Sequence, residues 1–353
     1  PESVAAAIDR HEIHHPVLND PNMTTWQSYG VRAWPTLVLV DPKGEIIATY
    51  SGEGHAHAIE ALLEKLVPEY EASADLVRGA GLYKAPAPSS LALKQPGKIV
   101  AIPAAYRGLL GGAELLVSNS GAHNLVGLTT TNLLDPVVTI GAGVRGSTDG
   151  DFASASFAEP YGAVFLEGEL ASKVGAHLLV ADTANHLIRA INLETKKVFT
   201  IAGTGSQWMQ ANPTTGPALE INISTPWDIE VLDNQLLIAM AGEHRIWKYD
   251  FETKSLGIFA GTSNEGLVDG NLAEAWFAQS SALIQSRSTP GKIWIIDSET
   301  SALRSAHNGK IASQIGKGLF DFGHVDGPAD QALLQHPLGL IELPDGNLLI
   351  ADT

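Results

Sequence analysis

A short apolar run followed by a small polar signature recurs five times along this chain. The residues that directly follow the apolar runs serve as markers, and they are Asn119, Asp182, Met240, Asp297 and Asp352. The steps between successive markers are 63, 58, 57 and 55 residues. A near-constant period of this length indicates that one supersecondary unit is repeated, so the repeat is interpreted before any local motif.

A second marker fixes the layout inside each unit. Asp149-Gly150 and Asp326-Gly327 are each followed, eleven residues after the Asp, by a proline. Four short runs of apolar and β-branched residues lie between the proline and the next such loop, separated by turn-forming residues. In the second unit these runs are Gly162–Leu166, His177–Ala181, Ile188–Asn192 and Val198–Ala202. Runs of this kind are typical of strands joined by turns.

Four antiparallel strands per unit, repeated around an axis, form the blades of a β-propeller. A helical solenoid is excluded because no unit has a 3.6-residue apolar period long enough for a pair of helices. The sequence therefore predicts an all-β propeller over residues 96–353, with about four and a half blades. Because the chain starts at Pro1 without a Met and stops inside the fifth signature, we expect it to be part of a longer protein.

The first part of the chain alternates helix and strand. Its predicted elements are a helix over Glu2–His11, a second over Thr24–Tyr29, a hairpin of Thr36–Val40 with Glu45–Ser51, and an amphipathic helix over His57–Tyr70. This order matches the C-terminal half of an α/β thioredoxin-like domain. We assign residues 1–75 to that partial domain and residues 76–95, which contain several Gly and Pro, to a linker.

One string supports the thioredoxin-like assignment. The sequence YGVRAWPTL at Tyr29–Leu37 resembles the thioredoxin pattern in which a cis-proline opens a strand. The resemblance implies that Trp34, Pro35 and Thr36 face a substrate groove, although packing of Trp34 beside the turn is an equal alternative. Since the chain contains no cysteine, it holds no thiolate for disulfide exchange, and a Cys-x-x-Cys motif would lie upstream of Pro1.

A second string identifies the repeat. The sequence DTANHLIR at Asp182–Arg189 contains Asn185-His186-Leu187, the three residues for which the NHL repeat is named. Together with the thioredoxin-like pattern, this string makes the chain resemble the NHL repeat-containing protein 2 family. The resemblance implies a thioredoxin-like domain followed by a six-bladed NHL propeller, and it implies no particular substrate.

The polar positions of the repeat are interpreted as structural. Asp149, Asp269 and Asp326 recur once per blade before a glycine, so we expect them to cap turns rather than to bind calcium together. His186 is expected to accept or donate a hydrogen bond that closes its own strand-to-strand turn. The other structural repeat positions are Asp182, Asn185 and Asp297. No metal or other cofactor is predicted, and no catalytic residue is assigned within these 353 residues.

Charge and hydropathy limit the classes of partner. The chain has 39 acidic and 22 basic residues, and its formal net charge of −17 divides into −6 before residue 89 and −11 after it. The acidic balance disfavours nucleic acid as a partner, because binding to its phosphates requires clustered Lys and Arg. A local basic face would have to use Arg189, Lys196, Lys197, Arg245 and Lys248. No apolar stretch is long enough to span a bilayer, and a cytoplasmic location is expected.

Three functions are compatible with these observations. The favoured hypothesis is an interaction protein whose rigid propeller binds protein or peptide clients. The alternative is a thiol-disulfide oxidoreductase with its cysteines upstream of Pro1 and the propeller recruiting the client. A propeller hydrolase or lyase with a metal ion in the central channel ranks below both. The oligomeric state is left open.

Overall fold

The structure is a computed structural model that describes residues 4, 8, 13, 15–33, 35–52, 55–76 and 92–352. Trp34, most of the predicted helix over Glu2–His11 and most of the predicted linker lie outside the described residues. The chain divides into two compact units, Pro1–Ser89 and Ser90–Thr353.

The first unit contains a hairpin between two helices. Its elements are α1 (Thr24–Ser28), β1 (Thr36–Val40), β2 (Ile46–Ser51) and α2 (Ala56–Ala72). The two strands pair antiparallel, and the turn between them is closed by Asp41, whose Oδ1 accepts the amides of Lys43 and Glu45 at 2.8 Å each. The predicted hairpin and the helix after it are confirmed at these positions.

The second unit begins with three four-stranded arrays that we call blades 1 to 3. Blade 1 contains β3 (Ile99–Ala101), β4 (Leu115–Asn119), β5 (Asn124–Leu128) and β6 (Val138–Ile140). Blade 2 contains β8 (Pro160–Phe165), β9 (Leu178–Asp182), β10 (Leu187–Asn192) and β11 (Lys197–Ala202). Blade 3 contains β13 (Pro226–Leu232), β14 (Gln235–Met240), β15 (Arg245–Asp250) and β16 (Ser255–Ala260).

A fourth blade and a final hairpin complete the described sheets. Blade 4 contains β18 (Ser280–Gln285), β19 (Ile293–Asp297), β20 (Ala302–His307) and β21 (Lys310–Ile315), and the hairpin contains β22 (Gly339–Glu342) and β23 (Leu348–Ala351). Two-residue strands pair with the outer edges of blades 2, 3 and 4: β7 (Gly150–Asp151), β12 (Gly216–Pro217) and β17 (Gly270–Asn271). Short helices precede β4 and β9, namely α3 (Ala104–Arg107) and α4 (Gly168–Val174).

The strand order confirms the predicted propeller arrangement. In blade 2 the order across the sheet is β7-β11-β10-β9-β8, and blades 3 and 4 repeat it. Every adjacent pair is antiparallel. The four strands predicted for the second sequence repeat are the four strands of blade 2. Their ends differ by at most two residues from the prediction.

The three largest clusters of the hydrophobic core lie between blades rather than within any one of them. Along β9, Leu178 and Val180 pack against blade 1, whereas Leu179 and Ala181 pack against blade 3. Alternate residues of a strand point to opposite faces, so a strand that is buried on both faces must be apolar throughout. This requirement explains the uninterrupted apolar runs that mark the second strand of each repeat.

Glycine is required where each outer strand ends. Gly141, Gly203, Gly261 and Gly316 occupy this position with φ between +90° and +120°. At Gly203 an added Cβ would clash with the His186 carbonyl oxygen of the same blade. Only glycine adopts this backbone conformation without steric strain, which lets the chain leave one blade and cross to the next.

Candidate functional site: the central channel

A cavity of about 800 Å³ is lined by the innermost strands of the four blades and of the final hairpin. Apolar side chains form most of its wall, and charged side chains come from two of the five strands and from the residues just before β3 and just after β18. A concave, mainly apolar site with a few polar groups is the usual form of a binding site. We call this cavity the central channel.

An ion pair crosses the channel. Lys98 Nζ, just before β3, lies 3.3 Å from Asp228 Oδ2 on β13, and both side chains are less than one-fifth exposed. The same ammonium group donates to the Leu338 carbonyl oxygen at 2.8 Å. On the strand between them, Gly162 leaves room for this contact, because an added Cβ there would meet the Asp228 backbone.

Carboxylates satisfy the free edge of β18, the innermost strand of blade 4. Its channel-facing amides belong to alternate residues: Leu283 donates to Asp228 at 3.0 Å, and Gln285 donates to Glu230 at 3.3 Å. The amide of Arg287, two residues further on, donates to Glu342 at 2.9 Å. Unpaired edge amides would otherwise be open to another strand, so the neighbouring sheets protect this edge with side chains.

Two of these carboxylates are in opposite electrostatic states. Burial raises the pKa of Glu230 to about 7, and the adjacent Asp228 charge adds to the rise. For Glu342, hydrogen bonds led by that of the Ser288 hydroxyl lower the pKa to about 2. Glu342 also accepts from the Trp294 indole at 3.2 Å. The Glu342 carboxyl is therefore ionised at neutral pH, whereas the Glu230 carboxyl changes between its protonated and ionised forms near pH 7.

An aromatic pair lies where two innermost strands begin. Tyr161 follows Pro160 on β8 and Trp227 follows Pro226 on β13, and their rings stack with centroids 5.9 Å apart and an interplanar angle of 14°. Both side chains are half-buried. Large amphipathic rings of this kind frequently anchor partners at interfaces.

The repeat signature itself forms a buried charge triad. In blade 2 the Arg189 guanidinium is fully buried between Asp182, at 2.9 Å, and Asp149, at 2.7 Å. It also donates to two backbone carbonyls and lies 5.2 Å from the centre of the Phe157 ring. The prediction that Arg189 could contribute to a basic surface was wrong, because its side chain is fully buried.

Blade 4 repeats the triad with Arg304, Asp297 and Asp269, at 3.3 and 2.9 Å. Asp269 also accepts the amide and the hydroxyl of Ser313, each at 2.8 Å, and Asp149 accepts the corresponding groups of Thr200. Both residues thus bind a buried arginine and a neighbouring strand instead of capping their own turn, contrary to the prediction. Asp326 is exposed and has no ion pair among residues 92–352.

Blade 3 lacks all three charges of the triad together. At the positions of Asp182, Arg189 and Asp149 it carries Met240, Trp247 and Thr215, and the side chains of Met240 and Trp247 are fully buried. The coordinated replacement has a physical reason: removing one partner alone would leave a buried charge uncompensated, whereas an apolar set of similar size is tolerated.

His186 joins successive blades. Its Nδ1 accepts the amide of Thr225 at 3.0 Å, and Thr225 directly precedes the first strand of blade 3. The corresponding histidines, His123 and His244, accept the equivalent amides ahead of blades 2 and 4. The predicted bond that closes the histidine's own turn is also present, because the backbone amide of His186 donates to the Thr183 carbonyl oxygen at 3.2 Å. Asn185 does act locally, because its side-chain amide donates to Asp182 at 2.8 Å.

The comparisons with known proteins agree with this architecture, although no family model matches the chain. NHL repeat-containing protein 2 of Bos taurus is 33% identical over 387 residues, covering all of this chain and 50% of that protein. Over its whole length the chain therefore resembles the NHL repeat-containing protein 2 family. Protein SUPPRESSOR OF QUENCHING 1, chloroplastic, of Arabidopsis thaliana is 30% identical over 369 residues, covering all of this chain and 33% of that protein. The chain thus spans half or less of the length of these curated relatives.

Two further matches each cover only part of the chain. Thiol-disulfide oxidoreductase ResA of Halalkalibacterium halodurans is 28% identical over 67 residues, covering 19% of this chain and 38% of that protein. The crystal structure of an auxiliary nutrient binding protein from Bacteroides ovatus has a TM-score of 0.50 and 16% identity, covering 74% of this chain and 58% of that chain. This structural likeness supports the propeller fold alone.

The remaining predicted site residues lie in the first unit. Pro35 directly precedes β1, and its carbonyl oxygen accepts the Gly52 amide at 2.8 Å. The Thr36 hydroxyl donates to the Ala33 carbonyl oxygen at 2.6 Å. Within the described ranges no three metal-ligating side chains converge, and none of the described helices has the length and hydrophobicity that crossing a bilayer requires.

Proposed function

We propose that the propeller is a protein-interaction platform whose central channel receives a segment of a partner protein. The observation that carries this proposal is the composition of the channel: charged groups of Lys98, Asp228 and Glu230 lie among apolar side chains in about 800 Å³. The stacked pair of Tyr161 and Trp227 at the start of two lining strands supplies an aromatic anchor. A net charge of −11 after residue 88 disfavours nucleic acid as the partner.

Site-specific photocrosslinking in the full-length protein tests the platform. A photoreactive phenylalanine analogue at Tyr161 is expected to capture a defined partner set in cells, and Trp227→Ala is expected to reduce that capture. The matched position is Trp276, which is about one-third exposed on the loop before blade 4 and, unlike Tyr161, is not part of an innermost strand. The same partner set from both positions, or none from Tyr161, would contradict the proposal.

For the first unit we propose a partial thioredoxin-like domain over residues 1–75, joined by the linker 76–95 to the propeller 96–353. The similarity of 67 residues to a thiol-disulfide oxidoreductase and the position of Pro35 directly before β1 support it. In this second candidate function, the full-length protein couples thiol-disulfide exchange to client binding, with Trp34, Pro35 and Thr36 facing the client.

Reduction of a fluorogenic disulfide, such as dieosin glutathione, by the purified full-length protein tests the redox function. Turnover is expected, and Pro35→Ala is expected to slow it without changing partner capture by the propeller. Absence of turnover would remove the redox function and leave the platform proposal intact. We also propose that the full-length protein is cytoplasmic, and imaging of the full-length protein checks this location.

A further inference from the structure

We propose that Glu230 in the central channel binds a basic side chain, lysine or arginine, of the partner segment. The inference rests on the proposed platform function and specifies the chemistry of its ligand. Asp228 has an ion-pair partner and Glu342 accepts hydrogen bonds from side chains. Among the described residues, Glu230 accepts hydrogen bonds from backbone amides only.

Each other charged group around Glu230 is already compensated or lies outside ion-pair distance of it. Asp228, two residues earlier on the same strand, pairs with Lys98 at 3.3 Å, and Glu342 on β22 accepts four hydrogen bonds from the blade 4 side. Arg287, after β18, lines the channel but forms no ion pair with Glu230. Within residues 92–352 Glu230 therefore has no cationic partner.

The hydrogen bonds of Glu230 come from backbone amides. One oxygen accepts its neighbour Val231 at 2.8 Å, and the other accepts Gln285 at 3.3 Å. A carboxylate oxygen has two acceptor sites, so each oxygen can accept a further donor from a ligand. A guanidinium or ammonium group supplies both the donors and the missing positive charge.

The wall of the channel suits the aliphatic part of such a side chain. Val100, Val164 and Ile284, from three different innermost strands, line the channel together with Glu230. Lysine and arginine pack their methylene groups against apolar surface while the charged end reaches a polar partner. The cavity of about 800 Å³ also has room for the backbone that carries the side chain.

The electrostatic surroundings predict weaker binding at low pH. The charged residues that line the channel with Glu230 are Lys98, Asp228, Glu342 and Arg287, while β8 contributes only Ala163, Val164 and Phe165. Burial raises the pKa of Glu230 to about 7 in the free protein. Binding of a cation must therefore remove a proton from Glu230 in mildly acidic solution, and affinity falls as the pH is lowered from 8 to 6.

Two small ligands of the same shape test the inference on the unaltered protein. Nα-acetyl-arginine amide and its neutral isostere Nα-acetyl-citrulline amide are titrated into the full-length protein and followed by ligand-observed NMR. We expect the arginine probe to bind at least about tenfold more tightly than the citrulline probe, with the difference shrinking at pH 6. Equal affinity of the two probes, or binding of neither, would overturn the inference.

Variants locate the effect at Glu230. Glu230→Gln is expected to weaken binding of the arginine probe at least about tenfold, whereas Glu194→Gln removes one exposed charge away from the channel and is expected to leave it unchanged. Equal effects of the two variants would overturn the assignment to Glu230. If photocrosslinking at Tyr161 still captures partners in that case, the platform proposal stands without a basic ligand residue.

Discussion

Replacing the charge triad of blade 2 with the residues of blade 3 tests whether the ionic set is required as a unit. The single variant Asp182→Ala removes one carboxylate from a fully buried arginine. The triple variant Asp149→Thr, Asp182→Met and Arg189→Trp installs the set that blade 3 carries at the corresponding positions. The two variants differ in whether a buried charge remains without its partner.

The structure gives the expected magnitudes. After Asp182→Ala, Arg189 keeps one carboxylate partner, Asp149, whose side chain is half exposed, and loses the buried carboxylate. Breaking one side of a buried ion pair typically costs about 3 to 5 kcal/mol of unfolding free energy. Replacement of the whole set by apolar residues of similar volume is often close to neutral, so the triple variant is expected to lie within about 2 kcal/mol of the unaltered protein.

Urea denaturation followed by tryptophan fluorescence measures these differences through the midpoint of the transition. The matched control is Asp151→Ala, because Asp151 pairs with Lys197 at 2.8 Å but both side chains are more than half exposed. An exposed pair contributes about 0 to 1 kcal/mol. If Asp182→Ala costs no more than Asp151→Ala, or if the triple variant is the least stable of the set, the reasoning is refuted.

Three further predictions concern single positions. Thr183→Val removes a buried hydroxyl that donates to Pro226 O at 2.7 Å, and urea denaturation should show a loss of about 1 to 2 kcal/mol; no change would mean that this bond between blades is not stabilising. Burial raises the pKa of Glu243 from 4.5 to about 8, so the folded state holds this proton more tightly and stability falls as pH rises between those values. Glu243→Gln should flatten that dependence of Tm on pH, and an unchanged slope would assign it to other groups. Gly203→Ala places a Cβ against the His186 carbonyl at φ +90° and should cost about 2 kcal/mol or more; a fully stable variant would show that the backbone can relax.

The sequence predicted the blades well because their signals are local. A run of apolar residues bounded by turn formers identifies a strand from its own composition, and β9 and β10 end within one residue of their predicted bounds. The period of the markers then places equivalent strands in equivalent sheets. No long-range information is needed for either step.

The roles of the polar repeat residues depend on partners that are distant in the chain. Asp149 meets Arg189 across 40 residues and Thr200 across 51, so the turn around Asp149 contains no sign of either contact. His186 similarly bonds to an amide 39 residues away. One signal was present: arginine follows the marker aspartate by seven residues in blades 2 and 4, and both residues are absent from blade 3.

The channel could not be predicted from strand alternation alone. The innermost strands of blades 2, 3 and 4 each carry a register irregularity next to their first residue, before Ala163, Asp228 and Ala282. An extra residue in one strand changes which side chains face a given side. The innermost strands could thus be predicted from the sequence. That Asp228 and Glu230 line the channel could be seen only from the strand register in the structure.

Because each of the three largest apolar clusters is shared by two adjacent sheets, a repeat excised from this protein would expose both of its faces to water. Destabilisation of one blade should therefore affect mainly the blades next to it, as in other arrays of stacked repeats. A destabilising substitution in blade 3 is expected to speed amide hydrogen exchange more in blades 2 and 4 than in blade 1.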